Sequence, residues 1–117
     1  MAFISFALTT AEFLAGRKTV TRRVWAERHT AMWQSFWDRG MLIHDAWDKA
    51  PFAKGKAIGK FLLTERPYME RLRDMPVADL AAEGGMCETL EEFYALIGMG
   101  ADDWVTVVRF ERVGEKL

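Results

Sequence analysis

The sequence predicts a small α+β domain built around a strongly curved sheet or barrel. Three observations lead there. The chain has 117 residues, the size of one compact domain spanning residues 1–117. Segments rich in strand formers mix with helical segments without regular βαβ alternation, which argues against a doubly wound parallel sheet. Half of the residues are hydrophobic and 13% are aromatic, enough to fill a core.

The elements follow in order. Phe3-Ile4-Ser5-Phe6-Ala7-Leu8 reads as a first strand. Thr9-Thr10-Ala11-Glu12 fits a capping box, in which hydroxyl and carboxylate satisfy each other's orphan amides. Gly16 then stops a helix of one to two turns, since glycine accepts the left-handed conformation required there. Thr19-Val20-Thr21 opens a second extended run through Trp25. Glu27 to Arg39 is a helix closed by Gly40, with Met32, Trp33, Phe36 and Trp37 at helical spacing. Met41 to Trp47 is a strand, Asp48 to Gly55 a polar loop containing Pro51, and Lys56 to Thr64 another strand. Pro76 stands at a first helical position, and that helix ends near Gly84-Gly85. Thr89-Leu90-Glu91-Glu92 is a second capping box, opening a helix that stops at Gly98. Trp104 to Glu111, with β-branched Val105, Val107 and Val108, is the clearest strand.

Composition narrows the function classes. No apolar run approaches the roughly 20 residues that cross a bilayer, so no membrane partner is expected. No basic residue precedes the short apolar run at the N-terminus, unlike a signal peptide. Cys87 is the single cysteine, which excludes an internal disulfide and a cysteine-built zinc site. His29 and His44 are too few and too far apart to nominate a metal. The expectation is a cytoplasmic protein with no metal and no organic cofactor. The net charge of −1 hides a division: residues 1–73 carry thirteen Lys/Arg against seven Asp/Glu, while residues 74–108 carry eight acidic residues and no Lys or Arg. Such asymmetry permits a positive surface for phosphates.

Gly16 to Arg23, read Gly-Arg-Lys-Thr-Val-Thr-Arg-Arg, is the most informative stretch. Its cations suit an anion or a nucleic-acid backbone, and its lysine can serve a neighbouring hydroxyl. The plainer reading is a set of solvated charges at the end of a helix. Geometry adds a constraint. Residues three apart on a regular strand point to opposite faces, so Lys18 and Thr21 share a pocket only if Lys18-Thr19 lies in an irregular segment. Trp25, beside this stretch, is a candidate for stacking on a base, and Tyr68 is a second. Tryptophans of a small domain are otherwise core residues. Gly55-Lys56-Ala57-Ile58-Gly59-Lys60 lacks the spacing of a phosphate-binding loop.

Leu8-Thr9-Thr10, with Phe13-Leu14-Ala15 running into that same stretch, resembles the opening motif of the ASCH domain family. Leu63-Thr64-Glu65-Arg66-Pro67-Tyr68, Leu80-Ala81-Ala82-Glu83-Gly84-Gly85 and Trp104 to Glu111 are similar to the family's later segments, in order. The resemblance spans nearly the whole chain and implies a PUA-like fold: a small β-barrel of about five to six strands flanked by short helices. It also implies work on RNA or a modified nucleoside. Some small bacterial members are amidohydrolases that deacetylate N4-acetylcytidine with a lysine, a threonine and a glutamate. Carried over by motif, these fall on Lys18, Thr21 and Glu83. Relative to the family pattern, the chain carries a longer segment after the opening motif, including the Trp33 to Trp37 helix.

The chemistry asks a neutral lysine to act as base or nucleophile. Like charge from Arg17, Arg22 and Arg23, together with burial, favours that form, whereas a close Glu83 opposes it. Thr21 supplies a nucleophilic hydroxyl or an oxyanion contact. The competing reading is a non-catalytic RNA-binding module, with Arg17, Lys18, Thr19, Arg22 and Arg23 as backbone contacts. A third is a metal-independent ribonuclease.

Overall fold

Residues 2–114 are described by a computed structural model. Six strands form one mixed sheet: β1 (Phe3–Ser5), β2 (Val20–Arg23), β3 (Ile43–Trp47), β4 (Ala57–Leu63), β5 (Tyr68–Arg71) and β6 (Trp104–Val113). The α-helices among the described residues are α1 (Thr10–Leu14), α2 (Glu27–Asp38), α3 (Asp79–Ala82) and α4 (Leu90–Ile97). The sheet runs β1-β3-β4-β6-β2, with β5 also on β6. β1 lies parallel to β3, and the other pairs are antiparallel.

β6 is the spine. Its distal half pairs with β4, Phe110 opposite Leu63. Its proximal half is flanked on both sides, Val107 facing Tyr68 of β5 and Arg22 of β2. Val105 to Val108 are buried in succession, which suits β-branched residues on a strand covered on both faces. Backbone pairing does not close the sheet: among the described residues no ladder joins its two ends, β1 and β2. A side chain spans that seam instead, with Arg23 Nη2 of β2 donating to the Ser5 carbonyl of β1 at 2.5 Å.

Several elements differ from the sequence expectation. The first strand ends at Ser5, because the Thr9 amide folds back onto the Phe6 carbonyl at 3.0 Å and turns the chain into α1. Thr9 makes no side-chain cap; Thr10 instead anchors the entry by donating to the same Phe6 carbonyl at 2.8 Å. The helix expected from Pro76 is α3 alone, preceded by tight turns from Asp79 to Pro76 and from Leu80 to Val77. β5 was not foreseen, since Tyr-Met-Glu-Arg carries little strand signal and its register is supplied by β6. The capping box at Thr89 and Glu92 is present as read.

One hydrophobic cluster joins Ile4, Phe6, Phe13, Trp33, Phe61 and Phe110 between the sheet and helices α1 and α2. Its rings interlock, with Phe6 and Phe13 stacked at 4.9 Å. His44 is buried there beside Trp33 and Phe36. Its Nε2 meets the Met41 carbonyl at 2.7 Å and its Nδ1 has no partner. Burial pushes the His44 pKa below the usual histidine value. A second cluster, including Leu72, Leu80, Phe93 and Val105, lies under α3 and α4.

Candidate functional site

The site is assembled where the end of α1 meets the end of α3. Gly16 reverses the chain at φ 76°, and the amides of Arg17 and Lys18 both bond the Glu12 carbonyl, at 3.0 and 3.2 Å. The Thr19 amide bonds Ala82 of α3 at 2.9 Å. Sheet pairing regularises only at Val20. This irregular passage lets Lys18 and Thr21 line one cleft of about 240 Å³, together with Glu83. Residues Leu8, Met86, Phe93, Leu96 and Ile97 supply its apolar walls.

Glu83 is the residue that ends α3, and it is buried. Gly84 follows at φ 130°, packed so closely that a Cβ there would lie 3.0 Å from Thr9 Cγ2. That glycine lets the end of α3 approach the start of α1. Lys18 Nζ donates to the Glu83 carbonyl at 2.6 Å and to Glu83 Oε1 at 3.2 Å. Glu83 Oε2 accepts from Arg22 Nη1 at 2.9 Å. Arg22 also holds Glu70, with Nε to Oε1 at 2.8 Å, and Asp79, with Nη2 to Oδ2 at 2.6 Å. Arg109 clamps Asp79 from the other side at 3.1 and 2.7 Å and donates to the Tyr68 hydroxyl. An ionic chain therefore runs from Lys18 through Glu83, Arg22 and Asp79 to Arg109.

Burial is the largest influence on Lys18 and pulls its pKa below the ordinary lysine value of 10.5. The Glu83 carboxylate works against that shift, and the charges of Arg23 and Arg22 reinforce it. For Arg22, burial is outweighed by its hydrogen bonds to Glu70 and Asp79 and by the Glu83 charge, so its pKa is raised. The Asp79 carboxyl is held low: burial opposes this, but Arg109 and Arg22 together prevail. Thr21 Oγ1 accepts from Arg23 Nε at 3.1 Å. With that lone pair engaged, the hydroxyl proton is free to be given to a base. Lys18 makes no hydrogen bond with Thr21 among the described residues; the two line the same cleft.

The remaining expected contacts scatter. Arg17 is exposed and only loosely paired with Glu12, at 3.9 Å. Thr19 is exposed. Arg22, expected as a phosphate contact, is instead an interior cation whose side chain is fully buried against three carboxylates. Lys18 is likewise an interior group rather than a surface one. Trp25 packs on Trp33 at 5.6 Å and lines a neighbouring groove. Tyr68 sits at the far end of the ionic chain, outside the cleft. Sequence reasoning missed Glu70, Asp79 and Arg109. The charge division along the chain was a signal for part of this, since Lys18 and Arg22 of the basic stretch bury against Asp79 and Glu83 of the acidic one. Among the described residues no group of three or more His, Cys, Asp or Glu is placed to hold a metal ion, and no helix is long and apolar enough to cross a membrane. No protein-family model, curated protein or solved structure matches the chain.

Proposed function

We propose that this chain is a metal-independent amidohydrolase that removes the acyl group from a modified nucleoside such as N4-acetylcytidine, on an ASCH-type, PUA-like domain. The observation that carries the reading is a buried lysine amine, held below its ordinary pKa beside Glu83, in a cleft it shares with the Thr21 hydroxyl. In the PUA-like reading, the open seam between β1 and β2 is the side of the barrel, bridged by Arg23 instead of a ladder.

In this reading each residue takes a role. Neutral Lys18 takes the Thr21 proton as Thr21 Oγ attacks the amide carbonyl carbon. Arg23, bonded to that oxygen, favours the developing alkoxide. The C–N bond then breaks, and the departing nitrogen receives the proton from the Lys18 ammonium, with Glu83 as relay. Water, activated by the same lysine, cleaves the Thr21 ester and releases the carboxylic acid. The apolar walls, and the commitment of Lys18 and Arg22 to carboxylates, support an uncharged ligand over a phosphate backbone.

Incubation with N4-acetylcytidine and related acylated nucleosides, followed by chromatography of the freed amine, tests the proposal. Lys18→Ala and Thr21→Val should each lower turnover by about 10²–10⁴-fold while the fold persists. In the wild type, kcat/KM should rise with pH as Lys18 loses its proton, with the midpoint below the lysine value of 10.5. Absence of turnover by correctly folded protein across the acylated series overturns the reading. RNA affinity that falls steeply with salt would then point to a binding module.

A further inference from the structure

The Arg23 bridge across the seam has a second side. Beyond it lies a groove of about 580 Å³, within the roughly 300–1,000 Å³ of small-molecule sites. Its walls include the rings of Phe3, Trp25 and Phe36 and the methionines Met32 and Met41. Phe3, Met32 and Met41 are about 40% exposed, at 41%, 40% and 41%, so the apolar surface is open to a ligand. Trp25 is backed by Trp33, the two rings stacked with their planes 24° apart.

Charge identifies the occupant. No Asp or Glu lines the groove, while Arg23 does. Arg23 forms no salt bridge among the described residues: its bonds go to the neutral Thr21 Oγ1 and Ser5 carbonyl, and its guanidinium lies 5.7 Å over the Phe6 ring. Arg22, one residue earlier, is surrounded by three carboxylates. The Glu83 charge reaches Arg23 only at a distance, with no direct ion pair, so an anion brought by a ligand into contact with the guanidinium adds a partner that this largely buried cation lacks. Flat rings beside a guanidinium with no directly paired carboxylate are complementary to a flat ring bearing an acid.

We propose that this groove is a second binding site, on the other side of Arg23 and Ser5, which line both it and the Lys18 cleft, and that it takes a planar aromatic carboxylate. The ring lies among Phe3, Trp25 and Phe36, and the carboxylate meets Arg23. The proposal does not depend on the amidohydrolase reading, because its test reads binding alone.

The probe is 2-naphthoate, titrated into the intact chain and followed by tryptophan fluorescence and by calorimetry. Saturable binding is expected, with the neutral isostere 2-naphthamide about tenfold weaker or worse. Arg23→Gln should weaken 2-naphthoate by a similar factor and leave 2-naphthamide nearly unchanged. Should Arg23→Gln fail to fold, Met32→Glu places a negative charge at an exposed groove position and should likewise weaken naphthoate binding about tenfold or more. No saturable binding overturns the proposal. So does equal affinity for acid and amide, or binding that Lys18→Ala removes and Met32→Glu leaves intact.

Discussion

Replacing Arg22 by methionine isolates what the buried ionic chain does. Glu83 keeps Lys18 and Asp79 keeps Arg109, but Glu70 is bonded through Arg22 alone among the described residues. The substitution therefore strands one interior carboxylate rather than three. Removing one partner of a buried pair costs about 3–5 kcal/mol, and one stranded group places this variant near the lower end, at about 3 kcal/mol. Against a typical stability of roughly 5–15 kcal/mol, that is a large fraction. In urea, with a slope of about 1–3 kcal/mol/M, the midpoint should fall by about 1–3 M. Tryptophan fluorescence reads this directly, since Trp33 is fully buried. The double variant Arg22→Met with Glu70→Gln removes the stranded charge and should recover at least half of the loss. A single-variant loss under about 1 kcal/mol, or a double variant no better than the single, refutes the assignment of Glu70 to Arg22.

Two further outcomes follow from the interior. His44 is held neutral when folded, with a pKa below its unfolded value of 6.5. Below that pH the unfolded chain binds a proton the folded one refuses, so stability falls as pH drops from 6.5 towards the depressed folded pKa. His44→Gln should lose less stability than the wild type between pH 6.5 and 5 in parallel denaturant titrations, and identical pH slopes would rule this out. Gly84→Ala meets both an unfavourable φ of 130° and Thr9 Cγ2 at 3.0 Å, and should cost about 1–3 kcal/mol. Adding Thr9→Ser removes the methyl but not the backbone strain, so thermal melts should show only partial recovery.

How much of this was legible beforehand depended on range. Local signals spoke plainly: the Thr89 capping box, the Gly16 stop and the helical spacing of Met32, Trp33 and Phe36 each appear where read. The pairing of Lys18 with Glu83, sixty-five positions apart, came from motif resemblance and not from either segment's own chemistry. β5 was illegible because a tetrapeptide with two charges becomes a strand only when β6 offers a ladder and Arg22 donates to Glu70. Thr9 misled for a different reason: its backbone, at φ −133° and ψ 27°, departs from the extended conformation of a capping residue, and its side chain makes no cap bond. Arg22 looked like its neighbours in a basic run, and strand alternation alone did not reveal that three acids awaited it.

The position of β6 in the chain also sets a timetable for synthesis. Among the described residues β2 and β5 pair only with the strand that begins at Trp104, and β4 pairs with it as well as with β3. At about 5–20 residues per second, the ribosome needs several seconds to pass from Val20 to that strand. Through this interval the aromatic core has no complete sheet to cover it. Non-local pairing of this kind is slow and exposes apolar segments to other chains. The surroundings of Lys18 are likewise drawn from late in the chain: Glu83 lies sixty-five positions after it, and the neighbouring Val20 and Thr21 find their sheet partners only in the spine.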